Sequence, residues 1–118
     1  MKITTTIANS NVDRNGDIIN ISNLKFPESC PVLLGFDETK FVGNCLLYRH
    51  GDELKATFDL KDEYLNLYPS IRIIAGDTEV WQMQDGSRQR IINNAVLICV
   101  GLSPAENVSK DIKRLDEK

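Results

Sequence analysis

A serine hydrolase needs a hydroxyl, an imidazole to take its proton and an acid to orient that imidazole. This chain carries one histidine, His50, in Arg49-His50-Gly51-Asp52, which reads as the tip of a hairpin. The candidate hydroxyl is Ser70, which follows Tyr68-Pro69 and opens a strand. For the two to act together, His50 would have to fold over from a turn onto that strand. The plainer expectation is that Ser70 hydrogen-bonds to backbone where its strand begins. No HExxH, glycine-rich phosphate loop or G-x-S-x-G elbow offers another route to chemistry.

The remaining reactive residue types point the same way. Asp37-Glu38, Asp52-Glu53 and Asp62-Glu63 are adjacent pairs, so within a strand the two carboxylates would face opposite sides and could not share a proton. They read as solvated surface. Cys30, Cys45 and Cys99 form no CxxC or CxxxH pattern, which suggests neither a zinc site nor a disulfide framework. Cys45 and Cys99 sit in apolar surroundings and read as small buried side chains in a reducing compartment. Asp13-Arg14-Asn15-Gly16-Asp17 has the opening of a calcium loop but lacks its later ligands and closing glutamate. The expectation is a turn in which Asp13 and Asp17 accept backbone N–H groups, with no metal and no cofactor. Trp81 and Met83 share a strand face, as core filling or as an anchor for a partner. Arg88 and Arg90 share another, the densest basic spot in the middle of the chain.

Positioning these residues falls to one small domain. A chain of 118 residues, 42% of them hydrophobic, suits a single globular unit spanning residues 1–118. No apolar run reaches bilayer length, and residues 1–10 lack the apolar core of a signal peptide, so neither a membrane nor export is expected. A formal charge of -3 disfavours nucleic acid as a partner, and aromatic residues do not interleave with a basic groove.

β-Branched residues open the chain over Lys2–Ala8, and Asn15-Gly16 marks a turn before a short strand, Asp17–Ile21. Ser22 to Pro31, with two prolines, reads as a loop, followed by a short strand at Val32–Leu34 ended by Gly35. Phe41–Tyr48 and Leu54–Leu60 flank the His50 turn. In the second run Leu54, Ala56, Phe58 and Leu60 alternate with polar residues, the mark of a half-buried strand. One or two helical turns are expected within Lys61–Tyr68. Strands follow at Ser70–Gly76 and in a hairpin of Glu79–Gln84 and Ser87–Ile92, closed by a tight Asp85-Gly86 turn. Ala95–Leu102 is almost wholly apolar and reads as a central strand buried on both sides. Residues 105–118 form a short C-terminal helix or a tail. Many short strands with turn signals between them define the class: mainly β, a compact barrel or sandwich with one or two short helices.

The order of segments resembles the tailed-phage prohead maturation proteases. Asn11-Val12-Asp13-Arg14-Asn15-Gly16-Asp17-Ile18-Ile19 is similar to their opening, where an aspartate, a basic residue and glycine-aspartate precede an apolar pair. Pro31–Asp37, Phe41-Val42-Gly43, Leu67-Tyr68-Pro69-Ser70-Ile71 and Ala95–Ala105 resemble the segments that follow, so the likeness spans residues 3 to about 112. The family members are serine hydrolases on a β barrel related to herpesvirus assembly proteases, and they cleave scaffold and capsid precursors. By position, the resemblance puts the family's serine on Ser70, its histidine base on Phe36 beside Asp37, and its orienting acid on Cys99. Phenylalanine has no lone pair to accept a proton.

The resemblance therefore implies a degenerate, non-catalytic member with Phe36, Ser70 and Cys99 at the former catalytic positions. Its expected role is an auxiliary or decoration protein on the virion capsid, present in the host cytoplasm during assembly. It would bind the major capsid protein or other virion proteins in many copies on a symmetric lattice, with Trp81, Met83, Arg88 and Arg90 as candidate contacts. The alternatives are a divergent prohead protease that uses Ser70 with His50, and another virion structural or adaptor module.

Overall fold

The alternating run Leu54, Ala56, Phe58, Leu60 is buried throughout, and full burial of a side chain such as Leu54 or Phe58 is worth about 1.5–3 kcal/mol. It belongs to a mainly β molecule, described by a computed structural model over residues 2–11, 16–104 and 112–117. Nine strands are described: β1 (Lys2–Asn9), β2 (Asp17–Ile19), β3 (Ser29–Leu34), β4 (Phe41–His50), β5 (Glu53–Asp59), β6 (Tyr68–Ile74), β7 (Asp77–Gln82), β8 (Arg88–Asn93) and β9 (Val96–Ser103). One-turn 3₁₀ helices lie at Ile21–Asn23 and Asp62–Tyr64.

Six strands form a curled sheet in the order β1-β5-β4-β3-β9-β6, a half-barrel whose two edge strands come near each other. Its concave face holds one core, including Ile7, Val32, Cys30, Cys45, Leu47, Phe58, Val100 and Leu102. The β6–β9 ribbon runs on past its last pair, Ile74↔Val96, into a second ribbon, β7–β8, beginning at Asp77↔Asn93. β2 adds to β8 in parallel, giving a small sheet in the order β2-β8-β7. Arg90 Nε donates to Asp17 Oδ1 at 2.9 Å and its other arm meets Oδ2, locking β2 to β8. Arg49 Nε donates to the carbonyl of Ile21 at 2.9 Å and its guanidinium lies 5.1 Å from the Phe26 ring centroid, pinning residues 21–26 to β4.

Four expectations need correction. The segment through Pro31 is strand from Ser29 onward, not loop. The bond from Leu47 N–H to the Glu28 carbonyl sets the β3–β4 parity, so the backbone nitrogen of Pro31 points away from β4 and its missing N–H costs that ladder nothing. The β7–β8 turn is not a two-residue one. Met83 N–H donates to Ser87 and Gly86 N–H to Met83, a wider loop in which Gly86 alone takes a positive φ, 87°. The start of β9 is not buried on both sides, since Val96 and Ile98 are each more than two-fifths exposed. Over residues 112–117 the tail is neither helical nor frayed. Leu115 and Asp116 donate their N–H groups to the carbonyls of Leu67 and Leu65, and Ile112 and Leu115 are buried. The Asp13 cap and most of the Asn15-Gly16 turn lie outside the described residues, as do residues 105–111 of the expected helix.

Candidate functional site

Register decides which side chains can meet on the convex face of the large sheet. Ser70 on β6 is opposite Gly101 on β9, and Gly101 is beside Leu33 on β3. Two residues along, Arg72 is opposite Cys99. Directly opposite residues share a face, so Ser70, Arg72 and Cys99 point the same way. Phe36 reaches that face from the β3–β4 connection. Gly35 and Phe36 both take positive φ, 57° and 59°, and Asp37 N–H closes the turn onto the Leu34 carbonyl at 3.0 Å. The turn folds the Phe36 ring onto Gly101. A Cβ at that glycine would stand 2.8 Å from Cε1 and Cζ of the ring, so only glycine leaves room. Left-handed backbone costs a phenylalanine about 1–2 kcal/mol, which the ring contact offsets.

The three positions taken from the resemblance therefore converge on one face, while His50 does not join them. Ser70 is level with the start of β4 through the rows Ser70–Gly101–Leu33–Phe41. His50 ends that strand, nine residues further on or roughly 30 Å along it, exposed and paired with Glu53.

Ser70 itself is 2% exposed, and its Oγ has no hydrogen-bond partner among the described residues. The expected bond to backbone at the strand start is not made. Cys99, the diagonal neighbour, is offset from Ser70 by about 7–8 Å between Cα atoms, beyond hydrogen-bonding reach. Burial raises the Cys99 thiol above its usual range, against a smaller lowering by Arg72, so it stays protonated near neutral pH. Asp37 is occupied by the N–H and hydroxyl of Thr39, which hold its carboxyl below its usual value. Among the described residues this face has a thiol and a buried hydroxyl without a hydrogen-bond partner, with no imidazole beside them; Arg72 and the Glu38 carboxylate act on Cys99 from the adjoining cleft.

Beside it lies a cleft of about 420 Å³ lined by Pro31, Leu33, Phe41, Ile98 and Cys99, with Arg72 and Glu38 at the charged positions. Phe41 is 57% exposed. The cleft was not readable in the sequence, because Ile98 stands in an unbroken apolar run that hides its alternation.

The second concentration of exposed apolar surface is the β7–β8 arm. Every residue of β7 is exposed, and Trp81 is 56% so, with its indole N–H bonded to Glu79 at 3.1 Å. Trp81 and Met83 are thus not core filling; Met83 lies just past the strand in the turn. Val80 projects from the opposite face of the ribbon. β7 is the outer strand of its sheet, and residues 77–82 contain no lysine or proline, the usual guards of an exposed edge. Arg88 is exposed at the tip, whereas Arg90 is engaged with Asp17. Among the described residues no three His, Cys, Asp or Glu side chains converge as metal ligands would.

Comparison of the chain with protein families, with curated proteins and with solved structures yields no match.

Proposed function

We propose that this chain is a non-catalytic structural component of a phage capsid, an auxiliary or decoration subunit that binds the major capsid protein lattice. One observation carries the reading. The positions that the resemblance to prohead maturation proteases assigns to base, nucleophile and acid share one sheet face. That face holds the Phe36 ring, a buried Ser70 hydroxyl with no hydrogen-bond partner among the described residues and a protonated Cys99 thiol. A site filled in this way favours recognition without cleavage. The arm supplies the means: an exposed strand edge flanked by Val80 and Trp81, suited to taking a partner strand.

The test is the composition of intact particles purified from cells that make this chain. Quantitative mass spectrometry is expected to find it in fixed ratio to the major capsid protein. Ser70→Ala leaves both that ratio and the cleavage of head precursors unchanged. Trp81→Ala with Val80→Ser lowers the ratio about tenfold, as loss of an aromatic anchor does. Absence of the chain from particles, or precursor cleavage that depends on Ser70, overturns the reading.

A further inference from the structure

We propose that Cys30 and Cys45 form a dithiol site that small-molecule disulfides oxidise to a cross-strand disulfide between β3 and β4. The two cysteines are direct partners in the antiparallel β3–β4 register, and their sulfurs lie 3.5 Å apart. The Leu47-to-Glu28 backbone bond makes Cys30/Cys45 a hydrogen-bonded pair by parity, with Cα atoms about 5.5 Å apart. That spacing matches the commonest one in disulfides, and side-chain rotation has only to close the sulfurs to about 2.05 Å. Both side chains face the core, 3% and 2% exposed, whereas Cys99 lies on the opposite face of the sheet.

Either sulfur can be the donor in this contact, so either thiol can make the first attack. With Cys30 attacking first, its thiolate opens the reagent disulfide. It displaces one half of the small disulfide as a thiol and keeps the other half in a mixed disulfide. Cys45 then gives up its proton, attacks the Cys30 sulfur and expels the second half as a thiol. Two protein thiols are oxidised, one reagent disulfide is reduced to two thiols, and no further electron acceptor is needed. Because both sulfurs are buried, the reagent enters when β3 opens locally.

The bond would close the base of the hairpin that carries Phe36 and the cleft residues Leu33 and Phe41. Oxidation then stiffens the convex face without touching it.

The full-length folded chain is equilibrated with reduced and oxidised glutathione over a range of ratios, quenched in acid, alkylated and mapped by mass spectrometry. The expected product has lost two hydrogens and joins the Cys30 and Cys45 peptides, with Cys99 still alkylatable. Its formation accelerates in sub-denaturing urea, and its Tm lies about 10 °C above that of the reduced chain. Cys30→Ser and Cys45→Ser each abolish the cross-link, and the native chain carries the test should either variant fail to fold. Stable glutathione adducts without a cross-link, a bond to Cys99, or no bond at ratios that oxidise ordinary dithiol pairs would each overturn the proposal.

Discussion

Gly101→Ala tests whether the Phe36 ring covers the convex face as described. The new methyl would stand 2.8 Å from two ring carbons and 2.9 Å from a third. Carbon atoms pack at about 3.5–4.0 Å, so the ring must retreat by about 1 Å. β9 is clamped between β3 and β6, which leaves the 35–40 connection to give way. Overpacking costs about 1–3 kcal/mol, and a half-buried ring on a surface turn belongs in the lower half, about 1–2 kcal/mol. In a Phe36→Gly background the obstacle is gone and the left-handed turn is kept. There the same methyl costs nothing, or gains about 0.4–1 kcal/mol from the stiffer unfolded chain. The cycle therefore carries a coupling of about 1–3 kcal/mol. Urea melts of the four proteins measure it, followed by far-UV circular dichroism because the sole tryptophan stands exposed on the arm. An equal cost of Gly101→Ala in both backgrounds would show that the ring does not rest on Gly101, and the account of an occluded site would fail with it.

Ser70→Ala is expected to leave stability unchanged or raise it by about 1 kcal/mol in a urea melt, since it removes a buried hydroxyl that has no partner among the described residues. A loss above about 1 kcal/mol would reveal a partner and reopen the question of its role. Arg90→Ala takes the guanidinium away from the Asp17 carboxylate, one-tenth exposed, and is expected to cost about 1–2 kcal/mol, less than a fully buried pair because the guanidinium is half in water. Limited proteolysis should then find β2 released before the large sheet unfolds. For Asp37 the folded carboxyl lies below its unfolded value, so its stabilisation is complete above about pH 4 and is lost as pH falls through the lowered folded value. Asp37→Asn removes that part of the acid limb in melts between about pH 2 and pH 5, and an unchanged limb would refute the assignment.

The fold was legible where burial imposes a period. Leu54 to Leu60 announce their face, and His50 and Glu53 sit where the turn residues Gly51 and Asp52 place them. Pro31 misled because a proline argues against a strand unless the ladder parity is known, and parity is a property of the partner strand. That error concealed the thiol pair as well. With Cys30 assigned to a loop, nothing in the chain could set it opposite Cys45. The convex site was legible only through the resemblance, which supplied Phe36, Ser70 and Cys99. Composition and spacing offered no reason to bring a turn phenylalanine to a serine thirty-four positions later. Trp81 eluded a periodic reading for a different reason: alternation says which residues share a face, not whether anything covers it.

On the capsid reading, the arm's energetics set how the protein must bind. A six-residue edge exposes the N–H and C=O groups of about half its residues, and each bond made there is worth about 1 kcal/mol net. Six such bonds and the remaining burial of Trp81 give about 6–9 kcal/mol. Association costs about 4–15 kcal/mol before any of this is gained, so one arm on one free partner is close to break-even. Residence on a shell must then come from many arms meeting a repeating surface, with one docked subunit holding its neighbours in place. The chain should therefore sediment with assembled shells at micromolar concentration yet show no complex with unassembled capsid subunits. Tight binding to a single free subunit would demand a larger contact than the arm, and would move the interface to the cleft beside Arg72 and Phe41.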